Sequence, residues 1–204
     1  MHFPIVSKDF FLCEDVVQIS KNLLGMHLYT SFNGQITIGK IVETEAYRAA
    51  NDKACHAYNG RKTKRTKIMY YRGGHAYVYL CYGIHHLFNF VVGPKDMANA
   101  VLIRGVEPIE GIHHMLERRN MTSVKKNLTA GPGALSKALG ISIAQTGLDL
   151  TQPNSPIQLL DKEALIPEKD IIASPRVGIG YAEECAEWPW RFRLKGSKWT
   201  SPAK

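Results

Sequence analysis

The dipeptide Asn33-Gly34 constrains this chain more than any other pair of neighbours. Both residues tolerate positive φ, which a type I′ turn demands at its two central positions, and such turns join antiparallel strands. Met26 to Thr30 alternates before the dipeptide and Gln35 to about Tyr47 runs on after it, so the expectation is a hairpin with a long second arm. A strand of that length, flanked by apolar residues, belongs in the middle of a sheet. Side chains alternate along it, so Val42, Thr44 and Ala46 face one way while Glu43, Glu45 and Tyr47 face the other. Two carboxylates and a tyrosine therefore share a face.

In most strands such a face is solvated and engaged in cross-strand ion pairs. Here the central position and the sequel weaken that reading. The strand leads into a loop with His56 and then Arg61, Lys62, Lys64, Arg65 and Lys67, five basic residues in seven. A solvated loop is the ordinary fate of such a run. Phosphate contact is favoured because the threonines between the cations can donate to phosphate oxygens, and because the whole chain is basic. Lys plus Arg number 26 against 18 Asp plus Glu, giving a net charge of +8 and a pI near 9.3. That balance points to a polyanion, nucleic acid ahead of a membrane surface. No apolar run approaches the roughly 18 residues of a spanning helix, no basic amphipathic helix stands out, and Met1 to Lys8 lacks the apolar core of a signal peptide. The expected setting is intracellular, cytoplasmic and nucleoid-associated if the chain is bacterial.

The remaining chain reads as alternating short elements. Glu14 to Leu24 carries a helical apolar stripe stopped by Gly25. Gly73-Gly74 opens a strand from His75 to Tyr82, with Tyr77 and Tyr79 on one face, and a second strand runs from Leu87 to Val92. Tyr82 and Gly83 then fall at the tip of a tight connection, where a tyrosine has no core to enter and can wedge against bases. Ala98 to Val106 reads as a buried strand and Ile109 to Asn120 as a helix. Arg104 inside that apolar strand needs a partner, and Glu43 and Glu45 are the natural ones; a structural ion pair accounts for it as well as a catalytic one. Pro132 sits well in the first turn of a helix extending over Ala134 to Leu139. Ile157 to Leu160 and Ile171 to Ala173 are short strands, Pro175 to Gly180 can present backbone amides to an anion, and Trp188 to Arg193 alternates aromatic and basic residues. No repeat or linker divides the chain, so residues 1–204 are expected to form one domain. Cysteines 13, 55, 81 and 185 lack metal-ligand spacing and are expected as free thiols; the pairs His85-His86 and His113-His114 do not favour a shared metal.

Six segments occur in an order and spacing that resemble a known family: Ile41-Val42-Glu43-Thr44-Glu45-Ala46-Tyr47; Asp52-Lys53-Ala54-Cys55-His56; Tyr77-Val78-Tyr79-Leu80-Cys81-Tyr82-Gly83 with Asn89; Val101 through Pro108; Gly131-Pro132 with Leu135, Ala138 and Leu139; and Arg176-Val177-Gly178. Over nearly its whole length the chain resembles the alkyladenine (3-methyladenine) DNA glycosylases of the mammalian type, in a compact bacterial-type form without a long amino-terminal extension. The resemblance implies an α+β fold, a single domain with a curved, largely antiparallel sheet flanked by short helices. It implies a monofunctional base-excision repair enzyme, monomeric, with no metal or cofactor, acting on double-stranded DNA with damaged purines. Glu45 matches the general base and Arg104 the residue that positions the attacking water. Tyr47, His56, Tyr79 and Asn89 match the base-binding pocket, with Asn89 crowding the 2-amino group of guanine. Tyr82 matches the intercalating wedge; Arg61, Thr63, Met69, Val177 and Gly178 match the DNA-contacting surface. Glu43 is assigned to supporting the strand. The competing reading is a non-catalytic nucleic-acid-binding domain that uses the basic run and tyrosines as a stacking platform.

Overall fold

The computed structural model describes residues 3–162 and 164–202; Met1 and His2 of the amino-terminal segment lie outside the described residues. Its centre is the hairpin of β1 (His27–Phe32) and β2 (Gln35–Tyr47). Asn33 and Gly34 adopt φ of 52° and 75°, and Phe32 pairs with Gln35 across the turn, as the turn chemistry requires.

β2 is covered on both edges over most of its length. On one side it pairs with β5 (Asn99–Glu110). On the other, β1 covers it as far as Lys40, and β8 (Arg191–Leu194) takes over at Glu43, Thr44 and Glu45. This double cover takes Glu43 and Glu45 out of solvent. β4 (His85–Val92) and β3 (Ala76–Cys81) extend the sheet beyond β5, β6 (Ile157–Leu160) borders β1, and β7 (Ile171–Ser174) borders β8. All of these pairings are antiparallel, and the fold is α+β.

The sheet has two unlike faces because side chains alternate. Val42, Ala46, Phe88, Phe90, Val101 and Ile103 form the hydrophobic core with α1 (Val16–Asn22), α2 (Ile112–Arg119) and α3 (Pro132–Ala138). The opposite face carries Glu43, Glu45, Tyr47, Tyr77, Tyr79, Asn89 and Arg104. It is walled by the loops that follow β2 and by the segment before β8.

Some boundaries differ from expectation for identifiable reasons. Helix α1 is shorter than Glu14 to Leu24, because Asp15 caps it by accepting from the amides of Val17 and Gln18, the usual role of an N-cap carboxylate. Helix α2 begins at Ile112 rather than Ile109. β5 continues through Glu110, pairing Glu107 with Lys40 and Pro108 with Gly39, until Gly111 at φ 68° turns the chain. β8 is a strand that the aromatic and basic alternation after Pro189 did not announce.

Candidate active site

The buried end of β2 holds a compact ionic cluster. Glu43 and Glu45 are both fully buried, and Arg104, on the facing side of β5, spans them. Its Nε donates to Glu43 Oε1 (3.1 Å) and its Nη1 to Glu45 Oε2 (3.3 Å). Burial alone would lower the guanidinium's proton affinity, but the two carboxylates outweigh it and raise it. Glu43 is the hub of this cluster. It also receives Arg191 Nε at 2.6 Å, the Ser201 amide at 2.5 Å and the Ser201 hydroxyl at 2.8 Å. The carboxy-terminal segment reaches this depth because Gly105 has no side chain; a Cβ there would lie 2.6 Å from the Trp199 carbonyl oxygen. Four donors on one carboxylate fix Glu43, and Glu43 in turn fixes Arg104.

Glu45 is bonded differently. Its Oε1 accepts from the backbone amide of Val177 (2.8 Å), and its Oε2 accepts from the Tyr47 hydroxyl (2.8 Å) and from Arg104. Burial, with the adjoining carboxylate, holds the Tyr47 phenol well above its ordinary range, so it remains a donor. The amide of Val177 is delivered by an anchored loop. Arg176 is buried and forms a two-pronged pair with Asp52, Nη1 to Oδ2 at 2.6 Å and Nη2 to Oδ1 at 2.7 Å. The same guanidinium donates to the carbonyls of Ala46 and Cys185 and lies 4.7 Å from the centre of the Tyr47 ring, where a cation meets the negative face of the aromatic.

In front of this cluster opens a cavity of about 650 Å³ lined by Tyr47, His56, Tyr77, Tyr79, Asn89 and Arg104, within the range of small-molecule sites. His56 Nδ1 shares a hydrogen bond with the Tyr77 hydroxyl (2.8 Å), and its ring stands edge-on to Tyr79 at 4.7 Å. Burial, reinforced by Arg65 and Arg61, pushes the imidazole down to about 4, so it is neutral at physiological pH. Burial raises both Tyr77 and Tyr79. Asn89 is immobilised from behind, its Nδ2 donating to the carbonyls of Tyr77 (3.0 Å) and Leu87 (3.3 Å). The cavity is thus an aromatic slot with one paired cation, Arg104, in its lining and a buried carboxylate immediately behind its wall. At its rim Tyr82, at φ 50° and 89% exposed, occupies the tip of the β3–β4 hairpin. Among the described residues no group of three His, Cys, Asp or Glu is placed to hold a metal.

Residues 10–198 match the Methylpurine-DNA glycosylase (MPG) family. The chain belongs to that family. A Chlamydia pneumoniae protein provisionally named a 3-methyladenine DNA glycosylase is 47% identical over 191 residues, 93% of this chain and 95% of its own length. A Bacillus cereus (strain G9842) protein of the same provisional name is 44% identical over 193 residues, 92% of this chain and 94% of its own. The enzyme class is therefore that of the DNA glycosylases, hydrolases acting on DNA.

Within this member of the family the expected site residues fall into two zones. Glu45, Tyr47, His56, Tyr79, Asn89 and Arg104 converge on the cavity, with Glu45 behind its lining. Met69, 1% exposed, and Val177 and Gly178 also border the cavity. Arg61 and Thr63 lie apart on the exposed basic loop, which is pinned by Thr66: its hydroxyl donates to the Arg61 carbonyl and accepts from the Thr63 amide. Sequence reasoning assigned no role to Tyr77, though its place beside Tyr79 on one strand face was the available signal. It also missed Arg191, Ser201 and the Asp52–Arg176 pair. The two members of that pair stand 124 residues apart, and nothing local in either segment announces the other.

Proposed function

We propose that the protein is a monofunctional DNA glycosylase that extrudes 3-methyladenine, hypoxanthine and related alkylated or deaminated purines from duplex DNA, hydrolyses the N-glycosidic bond and leaves an abasic site. The observation that carries this reading is the Glu45 carboxylate, buried directly behind an aromatic cavity and oriented by three donors. An ionised carboxylate has about four acceptor positions; with three filled, one remains for a water molecule. Such a water, oriented also by Arg104, attacks C1′ as the bond to the purine nitrogen breaks. The bonding electrons leave with the base, and the water's proton passes to Glu45. Cationic 3-methyladenine departs as a neutral molecule, so for that substrate base and positioning suffice; hypoxanthine departs as an anion and takes up a proton from water.

The walls favour the same reading. Extruding a base from the stack costs a few kcal/mol, least for a damaged or mispaired one. Aromatic stacking supplies about 1 to 3 kcal/mol per base, and the faces of Tyr47 and Tyr79 attract a cationic purine further. A neutral His56 adds no repulsion toward that cation. Asn89, fixed by two carbonyls, stands where the 2-amino group of guanine would intrude, and Tyr82 fills the gap left in the duplex. One chain supplies every residue of the site, so a monomer suffices. The direct test is incubation with duplex DNA carrying 3-methyladenine or hypoxanthine, followed by alkaline cleavage at abasic sites. Strand breaks at the lesion are expected; no release from either duplex would overturn the proposal.

A further inference from the structure

The tip of the β3–β4 hairpin stands between two clefts. Tyr82 borders the aromatic cavity, whereas Ile84, 71% exposed, borders a second cleft of about 560 Å³, and His85 and Gly133 belong to both. The His85 ring packs so closely on α3 that a Cβ at Gly133 would lie 2.9 Å from it. Ring and helix together make the partition.

The second cleft is lined by cations. Arg118 and Arg119 come from the last turn of α2 and Lys137 from α3, with His85 and His86 opposite, and no carboxylate lines it. Arg118 is held in place, its Nη1 donating to the Ala138 carbonyl (3.1 Å) and its Nη2 to Gln35 Oε1 (3.0 Å). Arg119 Nη2 donates to the Asn127 carbonyl (3.1 Å), and Lys137 is exposed. The neighbouring acid on α2, Glu117, stands 4.0 Å from His114 and attracts Arg118 at longer range, but it lies outside the lining of the cleft. Among the described residues none of the three cations is in an ion pair. A concave surface with this much positive charge and no acid concentrates anions.

We propose that this cleft receives the sugar–phosphate backbone of the strand opposite the lesion, with Arg118, Arg119 and Lys137 facing its phosphates and Ile84 against the step left unpaired. The inference rests on the glycosylase reading, because it takes Tyr82 to occupy the gap in the lesion strand. With the flipped base in the first cavity and Tyr82 in its place in the duplex, the far side of the hairpin faces the complementary strand. The partition thus separates two strands, one on each side of the tip.

The test is equilibrium binding of the full chain to an abasic-analogue duplex over a range of salt, comparing wild type with the double variant Arg119→Ala, Lys137→Ala. Removing two phosphate-facing cations makes the slope of log K against log salt shallower by about two, and the ratio of duplex to single-strand affinity falls about tenfold. Neutral methylphosphonate linkages placed opposite the lesion should weaken the wild type strongly and the variant little. An unchanged slope in a variant with native melting temperature would overturn the assignment. So would a wild type indifferent to neutral linkages opposite the lesion, or one weakened only by such linkages in the lesion strand. Failure of the glycosylase reading shows itself separately, as absence of abasic product while the strand-specific binding differences persist.

Discussion

Glu45 is held by three donors, the Val177 amide, the Tyr47 hydroxyl and the Arg104 guanidinium. In the sequence, strand period puts Tyr47 on its face, and a charge inside an apolar strand requires a partner for Arg104. Replacing Glu45 by glutamine keeps the shape but removes the proton acceptor and sets an amide N–H against donors from Val177, Tyr47 and Arg104. Glu45→Gln is expected to bind lesion duplex within a few-fold of wild type and to lose at least about a hundredfold in single-turnover excision, the scale of a general base; a rate within tenfold of wild type would remove Glu45 from that role. His56 carries a second prediction. Its imidazole titrates near 4 in the folded protein against 6.5 unfolded, so between those values the unfolded chain takes up a proton that the folded chain refuses. Stability is therefore unaffected above pH 6.5 and falls on acidification through that window, by at most about 1.4 kcal/mol per pH unit from this group. Urea unfolding between pH 4.5 and 7 should show a shallower decline in His56→Gln than in wild type; identical slopes would rule out His56 as the source.

Among the elements, those announced by local chemistry were the readable ones. Asn33-Gly34 specified the β1–β2 turn, Pro132 placed the start of α3, and Gly83 marked the β3–β4 tip. Elements decided by distant partners were not: the last residues of β5 are strand because β2 pairs with them, and β8 exists because β2 and β7 hold it on both edges. The β3–β4 hairpin shows what a local signal can specify completely. Tyr82 and Gly83 take φ of 50° and 73°, and the tyrosine side chain stands in solvent, committed to no contact in the fold. Tyr82→Ala should accordingly change folding stability by no more than about 0.5 kcal/mol. If Tyr82 stacks in the duplex, the same change should weaken lesion-duplex binding by about 1 to 3 kcal/mol, roughly five- to a hundredfold in Kd by titration. A variant that melted several degrees lower, or bound lesion duplex as wild type does, would contradict this division between fold and function.

Across the whole molecule the site is assembled from segments that meet only in the folded state. β2 supplies the carboxylates, β3 to β5 the tyrosines and Arg104, and the region from Arg176 to Ser201 closes the assembly through the Val177 amide, Arg191 and Ser201. The Asp52–Arg176 pair ties the loop after β2 to that closing region, and both side chains are fully buried. Removing one partner of such a pair leaves the other charge uncompensated, which destabilises by about 3 to 5 kcal/mol; in a chain of this size that lowers Tm by roughly 10 °C. Asp52→Ala should show that loss in calorimetry, and excision should fall with it even in molecules that remain folded, because the Val177 amide no longer has a fixed place beside Glu45. The double variant Asp52→Leu, Arg176→Met removes both charges, and apolar replacement of a buried pair is often neutral for stability. Its recovery should nevertheless be partial, since Arg176 also satisfies the carbonyls of Ala46 and Cys185, which a methionine leaves unpaired. Melting temperature should thus rise from Asp52→Ala to the double variant while excision stays low. Full recovery of excision in the double variant would show that the loop reaches Glu45 without this pair.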